Sequence, residues 1–164
     1  AGITVHDRPV VDAALSRAEE TEAPAAALEL ADGRMITGKT TDLLGPCAAL
    51  LLNALKELAG IPHSQPVISP AAIEPIQTLK TQYLGSKNPR LHMDEVLIAL
   101  SVSAASDPNA QKALEQLPNL KGCQAHTSVM VSDVDRKLFM KLSIQATFEA
   151  KYENNSVIFP KKGI

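Results

Sequence analysis

Apolar and polar positions change period several times along these 164 residues, and each change marks an element. From Pro9, "PVVDAALSRAEETEA" sets Val10, Val11, Ala14, Leu15 and Ala18 at near-helical spacing behind a proline suited to a first helical position, which predicts a helix ending near Glu22. "APAAALELADGRMITGK" switches to alternation: Leu28 and Leu30 flank Glu29, Asp32-Gly33 is a turn signal, and Met35-Ile36-Thr37 resumes a strand, so a β-hairpin is expected. Pro46 then opens "PCAALLLNALKELAG", a helix closed by Gly60. "PVIS" reads as a short strand, and "SPAAIEPIQTLKTQYLG" as a helix with Ser69 as N-cap, Pro70 first, Pro75 bending it and Gly85 ending it. Two helices rich in Ala and Leu follow, divided at Asp107-Pro108 with Asp107 as N-cap, within an insertion over about 90–118. "GCQAHTSVMVS" alternates as a strand, "DVDRKLFMKL" is a short amphipathic helix, and "IQATFEA" is the last strand.

Helices alternating with strands predict an α/β fold in three layers: a mixed sheet of about five strands, largely parallel apart from the leading hairpin, with helices on both faces and an inserted helical pair. Residues 1–152 are expected to form one domain and 153–164 an extended or disordered tail. With hydrophobic residues at 45%, aromatics at 3% and no Trp, the core must be aliphatic and alanine-rich. A formal net charge of −2 speaks against nucleic acid or an anionic membrane as partner. The longest apolar run, "CAALLLNAL", is interrupted by Asn53 and too short to span a bilayer, and two cysteines form no disulfide framework, so a cytoplasmic setting is expected. The chain opens "AGITVHDRP" without an initiator Met, and a piece of a longer protein is the expectation.

"GRMITGKT", Gly33 to Thr40, matches the phosphate-loop pattern of Gly, four residues, then Gly-Lys-Thr. The mechanism of that loop requires a glycine-rich turn after a strand that opens straight into a helix. Here the first Gly falls in a hairpin turn, the four intervening residues belong to the second strand, and Gly45-Pro46 separates Thr40 from the next helix. Nucleotide binding by this pattern is therefore not expected.

Two polar clusters remain. "GSKNPRLHMDE" crowds Ser86, Lys87, Asn88, Arg90 and His92 into a loop before a helix start, a donor set suited to a phosphate or carboxylate group; alternatively Asp94 and Glu95 serve the helix dipole and the loop is merely solvated. "TGKTTD" sets Lys39 and Asp42 between a strand end and a helix start, where open α/β sheets bind ligands, or else supplies turn geometry only. His126 lies three residues after Cys123, so the two face opposite ways on a strand and make a poor metal or nucleophile pair. It is either a buried, hydrogen-bonded histidine or, facing a sheet-end cleft, a general base and the candidate catalytic residue.

The "DGR…TG" hairpin feeding a helix that starts near Cys47 resembles the cytidine deaminase fold. That resemblance implies a zinc site with a proton-carrying Glu, yet Ala49 stands at the Glu position, and Ala71 and Glu74 stand where two Cys are needed. No zinc or other cofactor is therefore expected. A resemblance covering nearly the whole chain is carried by "GITVHDRPVV", "TGKTTDLLG", "LLLNALKELAGI", "ISPAAIEPIQTLKTQYLGSKNPRLHMDEVLIALS" and "GCQAHTSVMVSDVD", which look like the C-terminal portion of the bacterial uncharacterised protein family 0371. It implies a protein about three times this length with a deaminase-like fold in this part, and it brings no activity with it. Where that family would read Lys-Leu-Gly-Ile, this chain has Lys141-Leu142-Ser143-Ile144. The expected role is a degenerate deaminase-like domain that supports a site, mediates assembly or binds an anion; a small-molecule binding or catalytic domain, with Lys39, Lys87 and Arg90 as its cations, is the alternative, followed by metal-dependent deaminase or hydrolase chemistry. Expected partners are the N-terminal part of the same protein, an anionic small molecule and a second copy of the chain.

Overall fold

Prolines at first helical positions and left-handed residues at the ends fix the first helices. In the computed structural model, which describes residues 8–151, helix α1 spans Pro9–Thr21 and stops at Glu22 with φ 54°, while α2 spans Pro46–Ala59 and stops at Gly60 with φ 71°. Helix α3 spans Pro70–Thr78 with Pro75 inside it, and the segment expected to continue as α-helix to Gly85 becomes a π-helical turn over Leu79–Tyr83. Ser69 has the extended backbone of an N-cap, but its side chain makes no capping bond. Helices α4 (Met93–Ala104) and α5 (Pro108–Leu114) follow; Asp107 caps α5 by accepting from Asn109 N at 2.9 Å. Helix α6 spans Asp133–Lys141 under a Ser132 cap. No helix among the described residues is long and apolar enough to cross a membrane.

Four strands, β1 (Ala25–Glu29), β2 (Met35–Lys39), β3 (Gln124–Thr127) and β4 (Gln145–Phe148), form one mixed sheet in the order β2-β1-β3-β4. Two expectations are corrected here. The stretch "PVIS" is not a strand: Val67 and Ile68 are buried as loop residues, and Pro66 and Pro70 on either side remove the amide donors that a ladder would use. The sheet is also not largely parallel. Strand β1 pairs antiparallel with both β2 and β3, and only β3 and β4 pair in parallel. Strands β2, β3 and β4 all run one way, but β1 lies between β2 and β3 and turns two of the three pairings antiparallel. The tail assigned to residues 153–164 lies outside the described residues.

The register sorts side chains by face. Ala26, Leu28, Gly38, Ala125 and Phe148 face α2 and the main core of Leu50, Leu51, Leu55, Leu91, Met93, Leu100 and Phe139. Ala27 and Met35 face α1, where they meet Val10, Val11 and Ala14. A Cβ on Gly38 would lie 2.7 Å from Ala49 C and from Leu50 Cα, so glycine is required for α2 to lie against β2.

Candidate functional site

The fold explains the phosphate-loop pattern without a phosphate. Gly33 sits in the hairpin turn with φ 90°, Met35–Lys39 is strand, and Gly38 accommodates the backbone of α2. Neither glycine wraps an anion.

The two polar clusters, roughly 50 residues apart in sequence, meet at the end of the sheet where β2, β3 and β4 finish. Leu44 and Leu91 form a parallel bridge, Leu91 N donates to Leu43 O at 3.0 Å, and Gly45 N donates to Leu91 O at 3.2 Å. Arg90 is only 4% exposed and its Nε donates to Thr41 O at 2.8 Å, while Gln77 Nε2 donates to Asp42 O at 2.8 Å. Lys39 is buried at the end of β2, on the face shared with α1, and the Thr40 hydroxyl is buried with no hydrogen-bond partner among the described residues. Lys87, by contrast, is exposed. Ser86 and Asn88 shape the turn: Asn88 N donates to Ser86 Oγ at 3.2 Å and Arg90 N to Asn88 Oδ1 at 3.1 Å.

A partly buried ionic chain stiffens this junction. Lys80, on the π-helical turn, donates to Arg90 O at 2.6 Å and to Glu95 Oε1 at 2.8 Å; the same carboxylate accepts from His92 N at 2.8 Å. Asp135 of α6 accepts from Met93 N at 2.8 Å, and its other oxygen lies 3.5 Å from His92 Nδ1. The hydrogen bond to Asp135 raises the His92 pKa above its usual value, against the opposing effect of burial. The starts of α4 and α6 are thereby tied together, and the bond from Gly45 N to Leu91 O joins the start of α2 to the same junction.

His126 lies elsewhere, on the sheet face towards α1. Ala27 and Met35 give that face an apolar patch under α1, whereas across β3, β4 and the residue after it the face carries Gln124, His126, Gln145, Thr147 and Glu149. His126 is 1% exposed; its Nδ1 is 2.6 Å from Thr147 Oγ1 and its Nε2 is 2.8 Å from Glu149 Oε2. Arg8, at the cap of α1, spans the row: Nε donates to Gln124 Oε1 at 2.7 Å, Nη1 to Thr147 Oγ1 at 2.9 Å, and Nη2 to Ala125 O and Gln145 O at 3.1 and 3.2 Å. Burial lowers the Arg8 pKa, and the Glu29 charge opposes that. The sequence singled out His126 but missed Arg8, Thr147 and Glu149. The alternation of Thr147 and Glu149 in "IQATFEA" was the signal available.

Cys47 is fully buried in the α2 core and Cys123 lies in the same apolar cluster, its thiol pKa raised by burial. Ala49 is buried on α2 and Ala71 lies in the first turn of α3. Among the described residues no group of three His, Cys, Asp or Glu side chains is placed to hold a metal ion.

Residues 6–158 match the model of a domain of unknown function, DUF1846, C-terminal. A UPF0371 protein of Corynebacterium glutamicum is 57% identical over 157 residues, which are 96% of this chain and 32% of that protein. A UPF0371 protein of Corynebacterium aurimucosum is 55% identical over 162 residues (99% and 32%), and one of Streptococcus thermophilus is 49% identical over 152 residues (93% and 31%). The chain thus spans about a third of the length of the curated relatives it matches.

Proposed function

This chain belongs to the UPF0371 family, as its DUF1846 C-terminal domain, and from that premise we propose that it is a supporting and assembly domain whose outer helical face seats against the remainder of the full-length protein. One observation carries the reading: α4 is apolar on both sides. Met93, Val96, Ala99 and Leu100 enter the core, while Ile98 and Val102 on the opposite side are 62% and 71% exposed. Glu95 shares that outer side and reaches Lys80, so the π-helical turn with Tyr83 and Leu84, also largely exposed, lies alongside. Covering an aliphatic or aromatic side chain of this size stabilises by roughly 1.5–3 kcal/mol, so such a strip signals an interface. The occupant is the other two thirds of the protein, because the relatives carry that length in the same chain. The architecture itself we read as a degenerate deaminase-like fold, since the hairpin leads into a helix bearing Cys47 while Ala49 and Ala71 stand where catalysis would need a Glu and a Cys. Replacing Ile98 and Val102 together by Asp in the full-length protein should leave the isolated domain folded and let protease release it from the whole. A full-length variant that stays as resistant as wild type would refute the interface.

A second reading, capture of an anionic small molecule at the end of the sheet by Lys39, Lys87 and Arg90 with Asp42, Ser86, Asn88 and His92 around them, draws support from the meeting of the two loops and from the unpartnered Thr40 hydroxyl. Phosphate titration of wild type and Lys87→Ala tests it; equal affinity, or none in either, would set it aside.

A further inference from the structure

We propose that Thr147, His126 and Glu149 form a nucleophile, a base and an orienting acid that take an acyl group from an activated ester, an activity that goes beyond the assembly role and does not depend on it. A weak hydroxyl nucleophile needs a base within hydrogen-bond reach and a third group to hold that base, and the observed order supplies each: Thr147 Oγ1 at 2.6 Å from His126 Nδ1, and His126 Nε2 at 2.8 Å from Glu149 Oε2. Arg8 Nη1 donates to Thr147 Oγ1, and the hydroxyl proton can still point at Nδ1. In the tautomer the proposal requires, Nε2 carries the ring proton towards the Glu149 carboxylate. This tautomer leaves Nδ1 ready to accept the Thr147 proton.

Arg8 also provides for the charge that develops. Among the described residues, four of its five N–H groups make the contacts to Gln124, Thr147, Ala125 and Gln145, and the fifth belongs to Nη1, the nitrogen in contact with the nucleophilic oxygen. A buried polar ring next to an apolar core is costly unless paired, and His126, the buried member of a row whose Gln124, Thr147 and Glu149 are half-buried and whose Gln145 is exposed, is paired at both ring nitrogens. Thr147 stands on β4, at the edge of the sheet, with Glu149 just past its end, and the Glu149 side chain retains 27% exposure, so the array opens to one side while His126 is shielded.

The step balances. Thr147 Oγ1 bonds to the acyl carbon as its proton passes to His126 Nδ1, and the carbonyl oxygen becomes an oxyanion beside Arg8. Collapse breaks the bond to the leaving alkoxide, which takes the proton back from Nδ1, and the acyl group stays on Thr147. A water molecule deprotonated by the same nitrogen hydrolyses the acyl-threonine.

The probe is p-nitrophenyl acetate offered to the full-length protein. The expected result is a burst of nitrophenolate with an acetyl adduct mapped to the peptide containing Thr147. Thr147→Val should abolish both, Thr147→Ser should retain both, and Glu149→Gln should slow the burst about 10-fold or more while leaving the adduct on Thr147. Because substituting buried His126 can unfold the domain, the decision rests on these variants, whose melting curves are recorded alongside. An absent burst in folded wild type, a burst undiminished in Thr147→Val, or acetylation confined to surface lysines would overturn the proposal and leave a structural hydrogen-bond network.

Discussion

Replacing Gly38 by Ala separates the two explanations of the "TGKT" stretch. The added methyl would stand 2.7 Å from Ala49 C and Leu50 Cα and closer still to Leu50 N, all backbone atoms that no rotamer change can move. Restoring ordinary carbon contact of about 3.5 Å requires α2 and β2 to part by about 1 Å. That opening runs along a helix whose Cys47, Ala48, Leu50, Leu51 and Leu55 are all buried. Overpacking costs typically about 1–3 kcal/mol, and a backbone clash belongs at the upper end, so we expect a loss of about 3 kcal/mol. For a chain of this size each kcal/mol moves the melting temperature by about 2–4 °C, which gives a drop of roughly 6–12 °C by calorimetry. If Gly38 instead served a nucleotide loop, the variant would melt within about 2 °C of wild type and would lose ATP affinity in titration calorimetry. That pair of results would refute the packing explanation.

Other substitutions probe the junction and the last turn. Ser143 is exposed with φ 59°, so Ser143→Gly should raise stability by about 0.5–1 kcal/mol in urea titration; a loss would mean that the serine side chain contributes something unseen. Lys80→Met should cost about 2–3 kcal/mol, between the exposed and buried limits for ion pairs, because it strands Glu95 and frees Arg90 O; Glu95→Gln in the same background should recover part of the loss. The His92 pKa is raised in the folded state, so its pairing with Asp135 contributes fully below the unfolded value of about 6.5 and fades as pH rises through the folded value. The stability lost on His92→Asn should therefore be larger near pH ~5.5 than near pH ~8.5, and a pH-independent difference would contradict the ionised pair.

Local chemistry made much of this fold legible. Pro9, Pro46 and Pro70 at first helical positions, Gly60 at a helix end, and Asp32-Gly33 between alternating runs each fix one residue's backbone, and the structure follows them. Strand direction and order were not legible, because they depend on where the chain re-enters the sheet after α5, and no residue near β3 encodes that it pairs beside β1. "PVIS" misled because buried Val67 and Ile68 satisfy the composition of a strand without a neighbouring strand to bond. The site was half legible. Parity correctly put His126 and Cys123 on opposite sides, but the partners Thr147 and Glu149 come from 21 and 23 residues downstream, brought alongside by strand pairing. The loop at Ser86–His92 looked like a set of free donors because sequence cannot show that Arg90 turns inward to Thr41.

The assembly role is tested most directly by hydrogen exchange across α4 and the π-helical turn, comparing the 164-residue chain alone with the same residues inside the full-length protein. Slower exchange in the full-length protein, confined to the segment around Tyr83, Leu84, Ile98 and Val102 and abolished by Ile98→Asp with Val102→Asp, is the predicted result. Equal exchange in the two contexts, or protection that appears in the isolated chain as its concentration is raised, would contradict it, the latter by showing that a second copy covers this face.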